Sequence, residues 1–447
     1  MHIIIIGNGI AGVTTARHLR KQDADCIITI ISSETDHFFS RTALMYIYMG
    51  HMKYEHTKPY EDFFWKKNRI NLLNKHVSNI NAAEKSLTFQ NGDKLSYDKL
   101  VLATGSEPNK FGWPGQDLDG VQGLYSYQDL QSLEKWSKDL KHAVIVGGGL
   151  IGIELAEMFH SRHIPVTFLV RENSFWNGVM PPGESAMINR EIIASGIDLR
   201  LETELKEILP DKNGRARAVI TNTGEEIACQ FVGLTAGVHA RTELAKETEL
   251  ETNRGYLVDE FLQTNVPDIY AIGDCAELRQ PAPGRRALEA VWYTGKLMGP
   301  ILAKNILGTP TPYYQQTWFN SAKFMDIEWQ TYGSVLNRPL SGEKHFYWEH
   351  ADGRMSIRIN YDEESGVVKG FNLMGIRYRQ EVCIRWIDEN VHIEEVLANL
   401  PLANFDPEFY KHHEAEIVAQ FNKENGTQVS IRRKKSLSNV LSFLKLI

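Results

Sequence analysis

Cysteine is scarce in this chain of 447 residues: there are four, Cys26, Cys229, Cys275 and Cys383, and no two form a CxxC or CxxxxC pair. That argues against an iron–sulfur cluster, a structural zinc site and a redox dithiol. Positive charge is short as well, because 49 Lys and Arg stand against 56 Asp and Glu, a net charge of −7. A broad basic surface for a phosphate backbone is missing, and nucleic acid is not an expected partner. No apolar run reaches the roughly 18 residues of a membrane-spanning helix. Met1-His2 passes straight into Ile3–Ile6 without the basic region or cleavage site of a signal peptide. These absences lead us to expect a cytoplasmic protein with reduced thiols. What remains is a globular composition, 43% apolar and 23% charged, and a length that at roughly 100 to 200 residues per domain implies two to four domains.

The sequence contains an internal duplication. HIIIIGNGIAGVTTARHLRK from His2 and HAVIVGGGLIGIELAEMFHS from His142 are both β-branched runs feeding GxGxxG. Each is followed by a helix-period stretch and a second apolar strand, Cys26 to Ser32 and Val166 to Val170, which makes two βαβ openings. Hairpin-like stretches around Asn91-Gly92 and Thr223-Gly224 end in strands that meet Gly105 and Gly237, 98 residues past Gly7 and 90 past Gly147. Two nucleotide-binding modules of one plan therefore follow each other. The first is expected to resume at Gly273-Asp274 and a helical stretch from about Ala287 to Ile306. From Pro310 alternating aromatic segments (His345 to Glu349, Met355 to Asn360, Val367 to Leu373) precede helical periodicity at Val382 to Ile387 and Ile393 to Leu397. The fold class is α/β: two Rossmann-like dinucleotide-binding domains and a C-terminal α+β domain. The boundaries are 1–112 with 250–315, then 113–249, then 316–447.

In Gly7-x-Gly9-x-x-Gly12 the glycines allow a tight turn and close approach of a pyrophosphate to the next helix N-terminus. Glu34, 22 residues beyond Gly12, stands where an acid accepts hydrogen bonds from an adenosine ribose. Gly147-x-Gly149-x-x-Gly152 repeats the turn, but 18 residues beyond Gly152 comes Val170, followed by Arg171 and Glu172. Arg171 suits a 2′-phosphate and Glu172 a ribose hydroxyl, so NADH and NADPH both stay open. Two such modules suggest a flavin held in one and a nicotinamide visiting the other.

With Ala103-Thr104-Gly105 between the two motifs and Tyr270-Ala271-Ile272-Gly273-Asp274 after them, the chain resembles the two-dinucleotide-binding flavoproteins of the pyridine nucleotide oxidoreductase superfamily over about residues 1 to 310. The resemblance implies FAD at the first motif, with Thr104, Gly105, Gly273 and Asp274 around it. Within the superfamily ATGSEPNKFGWPGQDLDGV, Arg41 in FFSRTALMY, Glu154, Leu288-Glu289-Ala290-Val291 and Thr317-Trp318-Phe319 look like the ferredoxin and rubredoxin reductase branch, which includes apoptosis-inducing factor. That likeness implies Arg41 on FAD and Glu154 near the nicotinamide. Glu289, at the start of the late helix, is placed near the flavin pyrimidine. Tyr46 stands where the branch has a flavin-side lysine, and Thr42 where related disulfide reductases place a redox cysteine.

The expected function is an FAD-dependent NAD(P)H oxidoreductase passing electrons to a carrier such as ferredoxin or rubredoxin. The alternatives are a membrane-surface quinone reductase and a slow-turnover flavin redox sensor. No metal is expected, with His412-His413 read as surface residues. The sequence gives no oligomeric state. Arg432, Arg433, Lys434 and Lys435 precede Leu437, Val440, Leu441, Leu444 and Ile447 at helical spacing. This basic amphipathic tail, about residues 430–447, suits either an anionic bilayer or docking on the protein body or a second subunit.

Overall fold

The computed structural model describes residues 1–405 and 411–432. β1 (His2–Ile6) feeds α1 (Ile10–Gln22) and then β2 (Ile27–Ser32), and β3 (Ala143–Val146), α2 (Leu150–Ser161) and β4 (Val166–Leu169) repeat the unit. Ile3, Ile4 and Ile5 have no exposure at all, as befits a parallel strand covered on both faces. The duplication extends to side chains. His2 Nε2 lies 2.9 Å from Thr29 Oγ1 on β2, and His142 Nε2 lies 3.0 Å from Thr167 Oγ1 on β4.

Both modules build five-stranded parallel sheets of matching order. In the first, Ile269–Ala271, Lys99–Leu102, β1, β2 and Ile70–Asn74 lie side by side. In the second the order is Val121–Gln122, Phe231–Leu234, β3, β4 and Asp198–Arg200. Each module adds a three-stranded antiparallel sheet where a hairpin was expected, with Gly92 and Gly224 at positive φ in the turns. α3 (Trp292–Ile306) packs on α1 through small residues. A Cβ on Gly295 would come 3.3 Å from Ala11 Cβ, and one on Gly299 would come 2.9 Å from Thr14 Cβ. The helix is shorter than expected. Val291 is extended (φ −138°, ψ 135°) and Leu278 N donates to Ala287 O, so residues 287–291 stay outside it and Glu289 precedes the helix.

The described chain packs as two units, Met1–Phe175 with Ile192–Gln316, and Trp176–Glu191 with Thr317 onward. The second unit is an antiparallel sheet in the order β5 (Phe319–Phe324), β6 (Ile327–Gly333), β9 (Val368–Met374), β8 (Ser356–Asp362), β7 (Glu343–Glu349). α4 (Gln380–Asp388), α5 (Ile393–Ala398) and α6 (Glu414–Asn425) accompany it, and α6 ends at Gly426 with φ 66°. The three expected strands and two expected helices are thus present. β5, β6 and α6 come in addition. Trp176–Glu191 belongs to this unit through a buried ion pair, because Arg358 reaches both Glu184 oxygens at 2.7 and 2.9 Å and Asn372 donates to Glu184 at 3.2 Å. No described helix is long and apolar enough to cross a membrane. Apart from Ser430, Ile431 and Arg432, the amphipathic tail lies outside the described residues.

Candidate functional site

In the first turn two glycines are demanded by the chain itself. A Cβ on Gly7 would lie 2.0 Å from Ala103 O, and one on Gly12 would lie 2.2 Å from Gly7 O. Gly9 differs, because a Cβ there would meet no protein atom within 4 Å. The second turn repeats this asymmetry. A Cβ on Gly147 would meet Thr235 and Ala236 backbone at 2.8 Å and one on Gly152 would meet Gly147 O at 2.4 Å, while one on Gly149 would meet nothing within 4 Å. Protein packing therefore leaves the middle glycine unexplained in both turns, and close approach of a ligand explains it. Gly9 and Gly149 are also the N-caps of α1 and α2, and neither helix has a side-chain cap or an acid in its first turn. Their leading N–H groups suit an anion such as a pyrophosphate.

Around the first turn the fold gathers most of the residues assigned to the flavin. A Cβ on Gly273 would lie 2.9 Å from Ala11 Cβ, and Gly295 of α3 meets the same atom, so the Gly273-Asp274 segment and the head of α3 both border the start of α1. Arg41 donates to Glu34 Oε1 at 2.8 Å and Oε2 at 2.6 Å. It also donates to Tyr125 O at 2.5 Å and lies 4.5 Å from the centre of the Tyr125 ring. Glu34 Oε1 further accepts from Tyr127 N at 2.9 Å. Burial would raise the Glu34 carboxyl, but the Arg41 bonds and charge outweigh it and hold the group below its ordinary value. Each carboxylate oxygen has two lone pairs, so acceptor capacity for a ribose remains.

Tyr125, which the sequence reading passed over, joins the two halves of this site. Its hydroxyl donates to Asp274 Oδ2 at 3.4 Å and accepts from Ser106 N at 2.9 Å, and a Cβ on Gly105 would lie 2.8 Å from it. Burial and the Asp274 charge push the phenol up to about 12. Desolvation raises the Asp274 carboxyl, with Arg41 opposing it. Thr104 spends its hydroxyl inside the protein, on Arg241 O at 2.7 Å. Glu289 is buried and takes both oxygens to Arg285 at 2.8 and 2.9 Å. Three residues on, Trp292 holds a buried Nε1 with no hydrogen-bond partner among the described residues. That orphaned donor at the head of α3, the open Gly9 turn and the Glu34–Arg41 pair together fit a dinucleotide with a polar ring system.

Around the second turn, Glu154 opens the second turn of α2 with Glu157 three residues on. Burial, then the Glu157 charge, pushes the Glu154 carboxyl from 4.5 up to about 7. β4 ends at Leu169 and Val170 is wholly buried, whereas the Arg171 side chain is 71% exposed and lies 2.9 Å from Glu172 Oε1. The pairing leaves both nucleotides open. All four cysteines are free and buried. Burial raises every thiol, Cys229 to about 12. Of the two histidines read as surface residues, His412 is exposed but His413 is only 9% exposed, a correction that follows from its packing against Trp348 and His350.

The profile of the pyridine nucleotide-disulphide oxidoreductase family matches residues 1–292. A rubredoxin-NAD(+) reductase of Ectopseudomonas oleovorans is 30% identical over 70% of this chain and 81% of its own length. A nitric oxide reductase FlRd-NAD(+) reductase of Shigella dysenteriae is 32% identical over 69% of this chain and 80% of its own. Among solved structures, a ferredoxin reductase from Rhodopseudomonas palustris superposes with a TM-score of 0.76 at 23% identity, covering 84% of this chain and 91% of that one, a likeness of fold. The chain belongs to the pyridine nucleotide-disulphide oxidoreductase family and is an oxidoreductase that uses FAD and NAD(P)H.

Proposed function

We propose that this enzyme oxidises NADH or NADPH at the Gly147–Gly152 turn and delivers the electrons, by way of FAD at the Gly7–Gly12 turn, to a separate carrier protein of the rubredoxin or ferredoxin type. In this reading residues 1–112 with 250–315 hold FAD, and 113–249, apart from the Trp176–Glu191 segment that packs with the second unit, receive the nicotinamide. Bound FAD supplies the redox chemistry, accepting a hydride and releasing electrons. Everything else falls to the chain. The free N–H groups of α1 and α2 bind the two pyrophosphates, and Glu34, preset by Arg41, accepts from the adenosine ribose. The Tyr125 hydroxyl donates to Asp274 in a desolvated corner beside Arg41. Glu154 holds or releases a proton near neutrality beside the second turn.

One observation carries the choice of acceptor. A thiol relay needs an accessible cysteine of lowered pKa, and all four thiols here are buried and raised. Thr42 Oγ1, at the position of the missing redox cysteine, lies 3.2 Å from Ser40 Oγ. Electrons then leave for an external acceptor, as the names of the two relatives also suggest. The test is anaerobic reduction with NAD(P)H followed by an acceptor screen, repeated with each cysteine changed to serine. Rapid reoxidation by a rubredoxin or ferredoxin, unaffected by the cysteine changes, is expected. Reoxidation by a disulfide alone, or loss of turnover in one serine variant, overturns the proposal, and failure of every acceptor favours the redox sensor. The tail bears on where the enzyme works: deleting 430–447 and measuring liposome co-sedimentation separates membrane contact, which the deletion abolishes, from docking on protein.

A further inference from the structure

The C-terminal unit brings together histidines that lie 63 residues apart in sequence. His350 follows β7, and Asp352 sits in the turn before β8. His413 is the N-cap of α6, with Glu416 in its first turn. His413 is 9% exposed, and neither ring nitrogen has a hydrogen-bond partner among the described residues. An imidazole always carries at least one donor, so a buried ring left wholly unmet calls for a partner. Its nearest carboxylate, Glu416 Oε2, is 3.9 Å from Nδ1, beyond hydrogen-bond range. One nitrogen of His350, one of His413 and a Glu416 oxygen nevertheless all lie within 4.8 Å of one another. The two rings meet edge to face, 4.9 Å between centres. His350 Nδ1 lies 3.0 Å from Asp352 Oδ1 and accepts from Asp352 N at 3.3 Å, so Asp352 holds the ring from its Nδ1 side.

We propose that His350, His413 and Glu416 bind a divalent metal ion of the zinc class, with Asp352 orienting His350 and a water completing the coordination. Two imidazoles and one carboxylate form a borderline donor set that zinc accepts, with ligand distances of about 2.0 to 2.2 Å. Tetrahedral ligands at such distances lie about 3.3 Å apart, so the widest pair has to close in. Glu416 is free to do so, being 60% exposed. The ion clips the head of α6 to the β7–β8 hairpin, a structural role separate from the nucleotide sites.

The test uses tag-free, full-length protein stripped by chelator, desalted and titrated with Zn²⁺ alone, followed by calorimetry, metal analysis after desalting and thermal unfolding. One retained equivalent and a raised unfolding midpoint are expected. Glu416→Gln and His350→Ala are expected to weaken binding at least tenfold, and Asp352→Asn by about tenfold. His412→Ala, whose ring lies 3.4 Å from Glu414, leaves binding unchanged. His413→Ala removes a buried ring and risks folding. Glu416→Gln alters an exposed side chain, so a normal flavin spectrum with lost zinc isolates the ligand effect. No retained zinc in the wild type, or equal retention in Glu416→Gln and His350→Ala, overturns the site.

Discussion

Replacing Glu154 by Gln removes a carboxyl that the native fold ionises only with difficulty, and the effect on stability has a definite sign and pH window. In the unfolded chain the group titrates at its ordinary 4.5, and in the native protein at about 7. Below 4.5 both states carry the proton and nothing is lost. Between 4.5 and 7 the unfolded state releases it while the native state keeps it, so stability falls as pH rises. Above 7 the full penalty is present. At 1.36 kcal/mol per tenfold change in proton affinity, that penalty is at most about 3 kcal/mol. Glu154→Gln is therefore expected to stabilise the FAD-loaded, nucleotide-free protein by about 2 to 3 kcal/mol at pH 8 and by nearly nothing at pH 4.5. Urea unfolding followed by flavin release and far-ultraviolet circular dichroism, at half-unit steps of pH, measures the difference. Glu157→Gln provides an internal check, since removing the second cause of the shift lowers the Glu154 midpoint and narrows the window. A gain for Glu154→Gln that is the same at pH 4.5 and pH 8 would refute the reasoning.

Three further predictions concern separate parts of the fold. Gly9→Ala is expected to leave stability within about 1 kcal/mol of wild type, because its Cβ meets no protein atom, yet to lower flavin content on purification; Gly7→Ala, with its Cβ 2.0 Å from Ala103 O, is expected to misfold. Equal flavin occupancy in Gly9→Ala and wild type would dismiss the close-approach argument. Arg171→Ala is expected to weaken NADPH by less than about tenfold and NADH not at all, since the exposed guanidinium already pairs with Glu172. Stopped-flow reduction with each nucleotide decides this, and an equal loss for both would mean that other residues read the ribose. Glu184→Ala strands Arg358, 8% exposed, without its partner, and is expected to cost about 3 to 5 kcal/mol. Calorimetry checks it, and recovery in the double variant Glu184→Met with Arg358→Leu separates a stranded charge from a lost packing contact.

The fold was legible where local pattern and long-range packing make the same demand. An unbroken Ile run, a GxGxxG turn and a second apolar strand leave a chain few arrangements other than βαβ, and both copies appear with the sheet order duplicated as well. The late helix shows where local pattern misleads. Leu288-Glu289-Ala290-Val291 carries good helix formers, but Ala287 O is taken by Leu278 N, Val291 N turns back onto Glu289 O and Val291 is extended, so the helix starts only at Trp292. β5 and β6 went unread for a related reason. NSAKF and IEWQTYG mix charge with aromatics, and the pairing of β5 with β6 and of β6 with β9 makes them strands.

For the candidate site, the glycines and Glu34 were visible because their expected roles depend on spacing within one turn or one βαβ unit, whereas Asp274 and Glu154 came only from the family resemblance. Tyr125 was not, since nothing in GLYSYQD marks a phenol that reaches Asp274, 149 residues away. The same limit explains His413. Read beside His412 it lacks a second imidazole to share a metal with Glu416, because the ring it meets belongs to His350 and arrives only when the β7–β8 hairpin packs against the head of α6. Short-range motifs therefore disclose the two turns proposed to take the nucleotides' phosphates. The groups that set protonation and hold the second unit together, Tyr125 on Asp274, Glu157 beside Glu154 and Arg358 on Glu184, depend on three-dimensional neighbours. Two of these three couplings join segments more than a hundred residues apart, and the third needs burial to matter, so a variant series aimed at chemistry is best built from the structure rather than from the motifs.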